Sequence, residues 1–402
     1  MEAYLLDWAN LLLRWLHVIT AIAWIGSSFY FVFLDNNLIK PTSPDLLDKG
    51  VDGAMWAVHG GGFYNPQKYL VAPKKIHTQL HWFYWESYST WLSGFALFTV
   101  LYLFNAGTFL IDKTVFDWSP TAAIATSLGF LVAFWLVYDT VCRVFGFRKN
   151  GEAIVAGLML LVVAFASWLA CELFAGRAAF LLVGAMIATA MSANVFFWII
   201  PGQKTVVAAM TSGQAYDANA LAIHGKRGKQ RSVHNTYFTL PVIVAMLSNH
   251  YSFLYTAEHN WVVLFVLMVA GALIRQFFVQ RHAWHHGRAK NPWPFAAVGV
   301  VLLVVLMGWM RPATVSPVAA PKVVDFHQVA QVVEQRCVMC HGAALQSKGI
   351  RLDSPSLLKQ HAQAVYQQTV VSRQMPMNNA TAITEAERAL IGQWFLAGAL
   401  MP

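Results

Sequence analysis

Two cysteines and a histidine near the C-terminus form the motif with the most specific chemistry, Cys337-Val338-Met339-Cys340-His341. Thiols at this spacing can each add to a vinyl group of haem, and the adjacent imidazole can then bind the iron. The motif therefore predicts covalently attached haem c with His341 as an axial ligand, in preference to a zinc site or a disulfide. The sixth ligand of the iron is expected to be a methionine, and the candidates are Met375 and Met377.

A histidine inside the first long apolar run is a second candidate for chemistry. His17, Ala21, Trp24 and Ser28 recur at helical spacing, so they share one stripe that can face the interior of a helix bundle. Polar groups inside a membrane are costly and are therefore candidates for function. His17 is predicted to bind a b-type haem or to contact substrate. The alternative is a structural histidine bonded to a neighbouring helix.

Three ionisable residues lie at the start of the second apolar run. His77 and His81 are four residues apart, so on a helix they would share one face and could chelate a metal or act as base and orienting group. Glu86 lies about 140° further round such a helix and does not complete a three-ligand face with them. The alternative for the histidine pair is interfacial anchoring within an aromatic belt.

Residues 224–235 are predicted to form a cytoplasmic loop with two glycines and four basic residues. Such a loop can bind an anion through backbone N–H groups and charge-assisted hydrogen bonds. Lys229 and Arg231 are explained by membrane orientation, and Asp139 with Arg143 by an ion pair along one helix. The candidate substrate contacts of the loop are His224, His234 and Asn235.

The residues that could do this chemistry lie on or between long apolar runs. Of the 402 residues, 57% are hydrophobic and only 12% are charged, which excludes an ordinary cytosolic enzyme and a disordered chain. A membrane-spanning helix needs about 20 apolar residues. The predicted spans are Leu11–Leu34, Tyr84–Phe104, Thr121–Val141, Ala153–Cys171, Ala178–Ile200, Tyr237–Leu247, Trp261–Phe278 and Pro294–Met310.

Lysine and arginine residues predict the orientation of these spans. They concentrate in the loops after the first, third, fifth and seventh spans, whereas the loops after the second, fourth and sixth hold only Lys113 and Arg177. The positive-inside rule then places both termini on the periplasmic side of a bacterial inner membrane. The net charge of +9 is therefore explained by topology, and no nucleic-acid partner is expected.

The sequence divides into three parts. Residues 1–310 are predicted to form an all-α integral membrane bundle of eight transmembrane helices. Residues 311–321 are predicted to be a proline-containing linker, and residues 322–402 a small helical cytochrome c domain. Because one c haem carries one electron at a time, the fusion predicts that the membrane part exchanges electrons with the tail.

Several dispersed motifs resemble one family along the whole chain, the bacterial membrane-bound urate oxidases (urate hydroxylases) with a C-terminal cytochrome c domain. The motifs are Leu16-His17-Val18, Trp24-Ile25-Gly26, Gly60-Gly61-Gly62-Phe63-Tyr64, Trp85-Glu86-Ser87-Tyr88, Trp91-Leu92-Ser93-Gly94, His224-Gly225-Lys226, Ser232-Val233-His234-Asn235 and Ser248-Asn249-His250. The tail is similar to cytochrome c domains with a Met-Pro, Thr, Glu-Arg and Trp pattern. Its matching residues, which favour Met375 over Met377 as iron ligand, are Met375-Pro376, Thr384, Glu387-Arg388 and Trp394.

This resemblance implies oxidation of urate to 5-hydroxyisourate, with electrons leaving through haem c. Urate is then the small-molecule substrate, and a downstream cytochrome c or terminal oxidase of the respiratory chain is the electron acceptor. The catalytic candidates are His77, His81, Glu86, His224, His234 and Asn235. The alternatives are a membrane subunit that relays electrons from quinol or another haem, and a transporter or sensor whose tail reports redox state.

The predicted topology separates the candidate histidines from the haem c site. His77, His81, His224 and His234 map to the cytoplasmic side, and the bilayer core between them and the tail is about 30 Å thick. Direct electron transfer over this gap would be slow, so the sequence predicts either a deeper site or an intermediate carrier. His17, in the outer third of the first span, is at a suitable height for a b-type haem.

Overall fold

The computed structural model describes residues 2–69, 73, 76–77, 79–212, 214–215, 217–311 and 324–401. The chain is mostly helical in these ranges, as predicted, with two small antiparallel strand pairs in addition. The helices before residue 312 are α1 (Glu2–Asn37), α2 (Pro44–Asp48), α3 (Trp85–Phe98), α4 (Ala106–Phe109), α5 (Pro120–Phe145), α6 (Gly151–Leu173), α7 (Gly176–Ala193), α8 (Ile200–Thr211), α9 (Ala218–Leu247), α10 (Ser252–Tyr255), α11 (Asn260–His285) and α12 (Trp293–Trp309). Those of the tail are α13 (Phe326–Arg336), α14 (Pro355–Gln360), α15 (Ala362–Tyr366) and α16 (Glu385–Leu396).

Turns of other helical types extend or connect several of these helices. π-Helical turns extend α3 at Thr99–Leu103, join α7 to α8 at Asn194–Ile199 and follow α15 at Gln367–Val371. Short 3-10 turns lie at Ser248–His250, Ser347–Gly349 and Met377–Asn379. The strands form two pairs, β1 (Gly53–Ala54) with β4 (Gln67–Lys68), and β2 (Ala57–His59) with β3 (Gly62–Tyr64).

The triple glycine after α1 belongs to a hairpin turn. Strands β2 and β3 pair antiparallel, and Gly60 and Gly61 connect them with φ of +58° and +80°. A two-residue hairpin turn of this kind requires positive φ at both positions, which glycine adopts without strain. Turn geometry therefore explains Gly60 and Gly61 in this motif.

Five helical segments are long and apolar enough to cross a membrane: Tyr4–Asn37, Pro120–Phe145, Gly151–Leu173, Gly176–Thr211 and Asn260–His285. Helices also occupy the other three predicted spans, as α3 with its π-helical extension, α9 and the shorter apolar helix α12. Length and composition alone therefore support a membrane protein with five of the predicted spans. The count of eight stays a prediction.

Helix α9 corrects two sequence-based expectations. It begins at Ala218, where the carboxylate of Asp217 accepts hydrogen bonds from the backbone N–H groups of Asn219 and Ala220, and it runs to Leu247. The predicted span 237–247 is only its second half, and residues 224–235 are helix, not loop. The segment remains helical despite its polar composition because its polar side chains find partners on α5, α6 and the π-helical turn after α7.

Helix α7 is the centre of the membrane part. Phe180, Leu182, Met186 and Ile187 are fully buried between α5, α6 and α9. A Cβ placed on Gly184 would lie 2.8 Å from the Cβ of Ala245 on α9, so the glycine allows these two helices to approach closely. This close packing holds α5 and α9 on either side of α7 and brings their polar ends together.

The tail folds around its own apolar core. Phe326, Val329, Ile391 and Trp394 are buried where α13 packs against α16. Helix α16 starts with a capping box in which Thr384 and Glu387 exchange side-chain and backbone hydrogen bonds. The predicted linker 311–321 lies outside the described residues except for Arg311.

Candidate functional site

Polar residues from four elements meet in the interior where α5 faces α9, and we call this cluster the α5–α9 network. Its members are joined to one another by hydrogen bonds, and all of them except the exposed Glu152 are buried or half-buried. They are Tyr138 and Asp139 of α5, Glu152 of α6, Asn194 and Trp198 of the π-helical turn, and Arg231, His234 and Asn235 of α9.

A buried ion pair anchors the network. The guanidinium of Arg231, whose side chain is 3% exposed, donates to Asp139 Oδ1 from Nη2 at 2.7 Å. The indole Nε1 of Trp198 donates to the same oxygen at 2.7 Å, and Arg143 lies further away, with Nη1 3.5 Å from Asp139 Oδ2. The prediction that Arg231 only marks membrane orientation is wrong, because its charge is buried and paired across 92 residues of sequence.

Two side-chain amides connect this ion pair to α7. The Nδ2 of Asn194 donates to the hydroxyl of Tyr138 and to Asn235 Oδ1, both at 2.9 Å. Asn235 in turn donates from Nδ2 to the carbonyl of Met191 at 3.0 Å. All these groups are bonded, so Asn235, a predicted substrate contact, holds α9 against α7 in this structure.

A chain of three side chains, which we call the relay, runs from the interior to the surface. The hydroxyl of Tyr138 lies 2.9 Å from His234 Nδ1, and His234 Nε2 lies 3.0 Å from Glu152 Oε2. The side chain of His234 is 11% exposed, whereas that of Glu152 is 62% exposed. Gln230 fixes the carboxylate by donating to Glu152 Oε1 at 2.7 Å. A buried hydroxyl, a histidine and an exposed carboxylate in series can carry a proton between interior and solvent.

The other histidine predicted in this segment lies apart from the relay. His224 is on the first half of α9 and packs against α8, where a Cβ on Gly202 would be 3.4 Å from the Cβ of His224. The prediction of one loop that carries both His224 and His234 is therefore wrong, because both residues lie on α9. Ten residues of helix place them about 15 Å apart along α9.

The predicted helical pair His77 and His81 is not formed. Residues 77 and 79–82 are not helical, because the helix begins only at Trp85, and both histidines are exposed. His77 Nδ1 accepts a hydrogen bond from the backbone N–H of Gln79, and the ring of His81 packs against that of Phe83. Among the described residues no three His, Cys, Asp or Glu side chains come close enough to hold a metal.

Glu86 differs from these histidines in its surroundings. It lies in the first turn of α3, and its Oε2 atom is buried without a hydrogen-bond partner among the described residues. A buried carboxylate oxygen without a donor is costly. Glu86 therefore remains a candidate for contact with a group that the chain itself does not supply.

His17 is bonded to the neighbouring helix α3. Its Nδ1 lies 3.1 Å from the carbonyl of Thr90 and 3.2 Å from the hydroxyl of Ser93, and a Cβ on Gly94 would be 2.7 Å from the ring. The alternative for His17, a structural histidine bonded to a neighbouring helix, therefore agrees with the structure. Iron-binding histidines are held in the same way, because a hydrogen bond at Nδ1 leaves Nε2 free for the metal. His17 would supply one iron ligand of this kind, and a b-type haem stays a prediction.

The tail residues fit the predicted haem c. Cys337 follows α13 directly, and His341 Nδ1 lies 3.3 Å from the carbonyl of Ile350, which leaves Nε2 free for iron. Burial, with the neighbouring Cys340 thiol, raises the pKa of Cys337 to about 11. Met375 is fixed through its carbonyl, which accepts from Nη1 of Arg388 at 2.8 Å.

Met377, the other ligand candidate, faces the membrane part. Its sulfur lies 4.0 Å from Arg177 Nη1, and the next residue, Asn378, donates to the carbonyl of Thr108 at 2.8 Å. Arg177 also donates from Nε to Asn249 Oδ1 at 3.0 Å. The loop that carries the methionines therefore docks beside α4 and the start of α7, and the sulfur of Met377 is directed at this contact.

Sequence reasoning missed several residues of the interior. Tyr138, Glu152, Asn194 and Trp198 gave no local signal because their roles depend on partners from distant elements. Arg275 did give a signal, since it is a lone arginine within the apolar run 261–278. In the structure it is 4% exposed and stacks on the ring of Phe29.

The family described as "Urate oxidase N-terminal" matches residues 3–311 of the chain, which include the whole α5–α9 network and exclude the tail. Comparisons with curated proteins and with solved structures give no match.

Proposed function

The chain belongs to the urate oxidase N-terminal family, and from this premise we propose that it oxidises urate to 5-hydroxyisourate and passes the electrons to a haem c in its tail. The relay of Tyr138, His234 and Glu152 is the observation that carries the proposal. It lies inside the matched region and links a buried hydroxyl to an exposed carboxylate. The membrane location and the haem site of the tail complete the proposal.

The balanced reaction shows which groups the protein must provide. Urate and one water give 5-hydroxyisourate, two protons and two electrons, with the water oxygen forming the new bond to C5. A base must therefore take protons, and a pathway must remove them from an interior site. In the relay, His234 can receive a proton at Nδ1 from the Tyr138 side and release one from Nε2 to Glu152. The exposure of Glu152 then lets the proton reach solvent.

The electrons require a separate acceptor, because no side chain of the relay can store the two electrons that urate releases. Bound haem c would accept electrons one at a time. For this, Cys337 and Cys340 would hold the porphyrin, and His341 with Met375 would bind the iron. The docking of the methionine loop against Thr108 and Arg177 supports transfer between the membrane part and the tail.

The test uses the purified, oxidised full-length protein in an anaerobic cuvette. Urate is added while the haem α-bands and 5-hydroxyisourate are measured together. We expect two electrons to appear on haem for each urate consumed. No reduction by urate, together with reduction by a quinol, would instead identify an electron-relay subunit.

A pair of variants tests the relay in the same assay. His234→Gln removes the proton-accepting ring, and general acid–base groups contribute about 100- to 10,000-fold to rate, so we expect kcat to fall within that range. The matched control is His259→Gln, because His259 stacks on Trp309 away from the network. Equal rates for both variants and the parent would remove the relay from the mechanism.

A further inference from the structure

Arg275 is a buried cation with two donor atoms that no described residue accepts. Its residue is 4% exposed, and its Nε and Nη2 atoms are buried without a hydrogen-bond acceptor among the described residues. No carboxylate in the described part of the chain lies within 4.0 Å of it, whereas the equally buried Arg231 is paired with Asp139 at 2.7 Å. An unpaired charge inside an apolar helix is costly and marks a site for a missing anion.

The two unpartnered atoms define the shape of that anion. Nε–H and Nη2–H lie on the same edge of the guanidinium and point in parallel, which is the edge that binds two adjacent acceptors at once. Phe29 packs against the flat face, with its ring centre 3.7 Å from Arg275 Cζ. The plane of the guanidinium is therefore fixed, and its donor edge selects a flat anion with two neighbouring acceptor atoms.

The surroundings connect this edge to the relay. Tyr237 of α9 is hydrogen-bonded to Gln276, the residue after Arg275. His234 is one turn before Tyr237 on the same helix. The residue next to Arg275 therefore contacts α9 one turn from the histidine of the relay.

Close to Arg275 in sequence, α11 packs tightly against α9, and α9 contains a proline. Gly271, one turn earlier on α11, would place a Cβ 3.2 Å from the Cβ of Leu240, so α11 and α9 approach closely there. Pro241 follows Leu240 and has no N–H, so the carbonyl of Tyr237 receives no helical bond from it. The segment of α9 that contacts Gln276 therefore also carries a backbone carbonyl without its helical donor.

We propose that Arg275 binds the substrate anion through its Nε and Nη2 donors. This inference rests on the proposed function and adds the binding residue to it. The urate monoanion is flat and carries its negative ring nitrogen, N3, next to a carbonyl oxygen, which gives the two adjacent acceptors. A haem propionate would offer a similar pair of acceptors, so the test separates these two sources.

The experiment measures binding without turnover. Full-length protein in detergent is kept reduced with dithionite, so that it cannot oxidise urate, and radiolabelled urate is bound by equilibrium dialysis. Arg275→Lys keeps the charge but loses the two-donor edge, and we expect Kd to rise about 10- to 100-fold, the range for charged hydrogen bonds. Arg275→Gln is expected to lose binding further. Arg281→Gln, on the same helix, is the matched control and should bind like the parent.

Two further readouts make the result specific. Methylation of urate at N3 blocks the acceptor edge, so binding of N3-methylated urate should be weak in the parent and should not weaken further in Arg275→Lys. The haem content of each variant, measured as pyridine haemochrome, should equal that of the parent. Loss of a haem in the Arg275 variants with unchanged urate binding would overturn the proposal in favour of a cofactor carboxylate.

The outcomes also separate this inference from the proposed function. A parent protein that neither binds nor oxidises urate would refute the proposed function. A parent that binds urate, with Arg275→Lys binding it equally well, would refute only the role of Arg275. Because Arg275→Lys keeps the charge and most of the side-chain volume, it provides this answer even if Arg275→Gln fails to accumulate.

Discussion

Removal of the Asp139 carboxylate should destabilise the membrane part strongly. Asp139→Ala eliminates two acceptor contacts of 2.7 Å, one from Arg231 and one from Trp198, and leaves Arg231 buried at 3% side-chain exposure without its counter-charge. Loss of one partner from a buried pair costs about 3–5 kcal/mol of unfolding free energy. We expect Asp139→Ala to lower the unfolding free energy by an amount within that range.

Arg143 provides a matched comparison on the same carboxylate. Its Nη1 lies 3.5 Å from Asp139 Oδ2, and its side chain is 65% exposed. Solvent screens such a pair, so Arg143→Ala should cost less than about 1 kcal/mol. Both variants can be measured by reversible unfolding of the detergent-solubilised protein, followed by near-ultraviolet circular dichroism.

A double variant tests whether the loss of unfolding free energy comes from the unpaired charge of Arg231. Asp139→Ala combined with Arg231→Met removes both charges and replaces the guanidinium with an apolar side chain. If the buried cation is the cause, the double variant should be more stable than Asp139→Ala alone. An Asp139→Ala variant that costs no more than Arg143→Ala, or a strictly additive double variant, would refute this account of the network.

The remaining predictions concern the tail and His17. Cys337→Ala with Cys340→Ala should abolish covalent haem in denaturing gels and urate turnover, while the membrane part keeps its circular dichroism; full turnover in this variant would contradict the coupling. Burial alone would raise the pKa of Glu387, but hydrogen bonds from the Thr384 backbone and Arg336 hold it below its ordinary value of 4.5. The tail should therefore lose stability as pH falls below 4.5, and Glu387→Gln should be less stable than the parent at neutral pH and insensitive to this fall. Gly94→Val should displace the His17 ring, since even a Cβ would lie 2.7 Å from it, and should lower thermal stability more than Gly129→Val, where a Cβ meets nothing.

The positions of the long helices follow from the sequence because bilayer thickness and apolar run length are local properties. The sixth run was predicted too short, since the first half of α9 is polar and its burial depends on partners elsewhere. Arg231 illustrates the limit: its partner Asp139 is 92 residues away, and only the fold brings the two together. The His77 and His81 spacing has meaning only on a helix, and the helix begins at Trp85.

The tail motif shows the opposite case. Cys337, Cys340 and His341 lie within five consecutive residues, so their chemistry could be predicted without knowledge of the fold. The Met-Pro pattern also favours Met375 over Met377 as the ligand, and the contact of the Met377 sulfur with Arg177, in another part of the chain, agrees with that preference. Sequence motifs therefore identify sites built from one segment, and they miss sites assembled from several.

The depth of Arg275 bears on how electrons would cross the protein. Arg275 lies fifteen residues into α11, about 22 Å along the helix, whereas the methionine loop docks at Thr108 and Arg177. A single transfer over such a distance would be slow, and His17 with its free Nε2 lies on α1 beside α3, the helix that precedes α4. We therefore expect a second, non-covalent haem, released by acidified acetone and shown as a b-type α-band in pyridine haemochrome. His17→Ala should lose this band and keep haem c. A parent with haem c alone would require direct transfer and would remove His17 from the pathway.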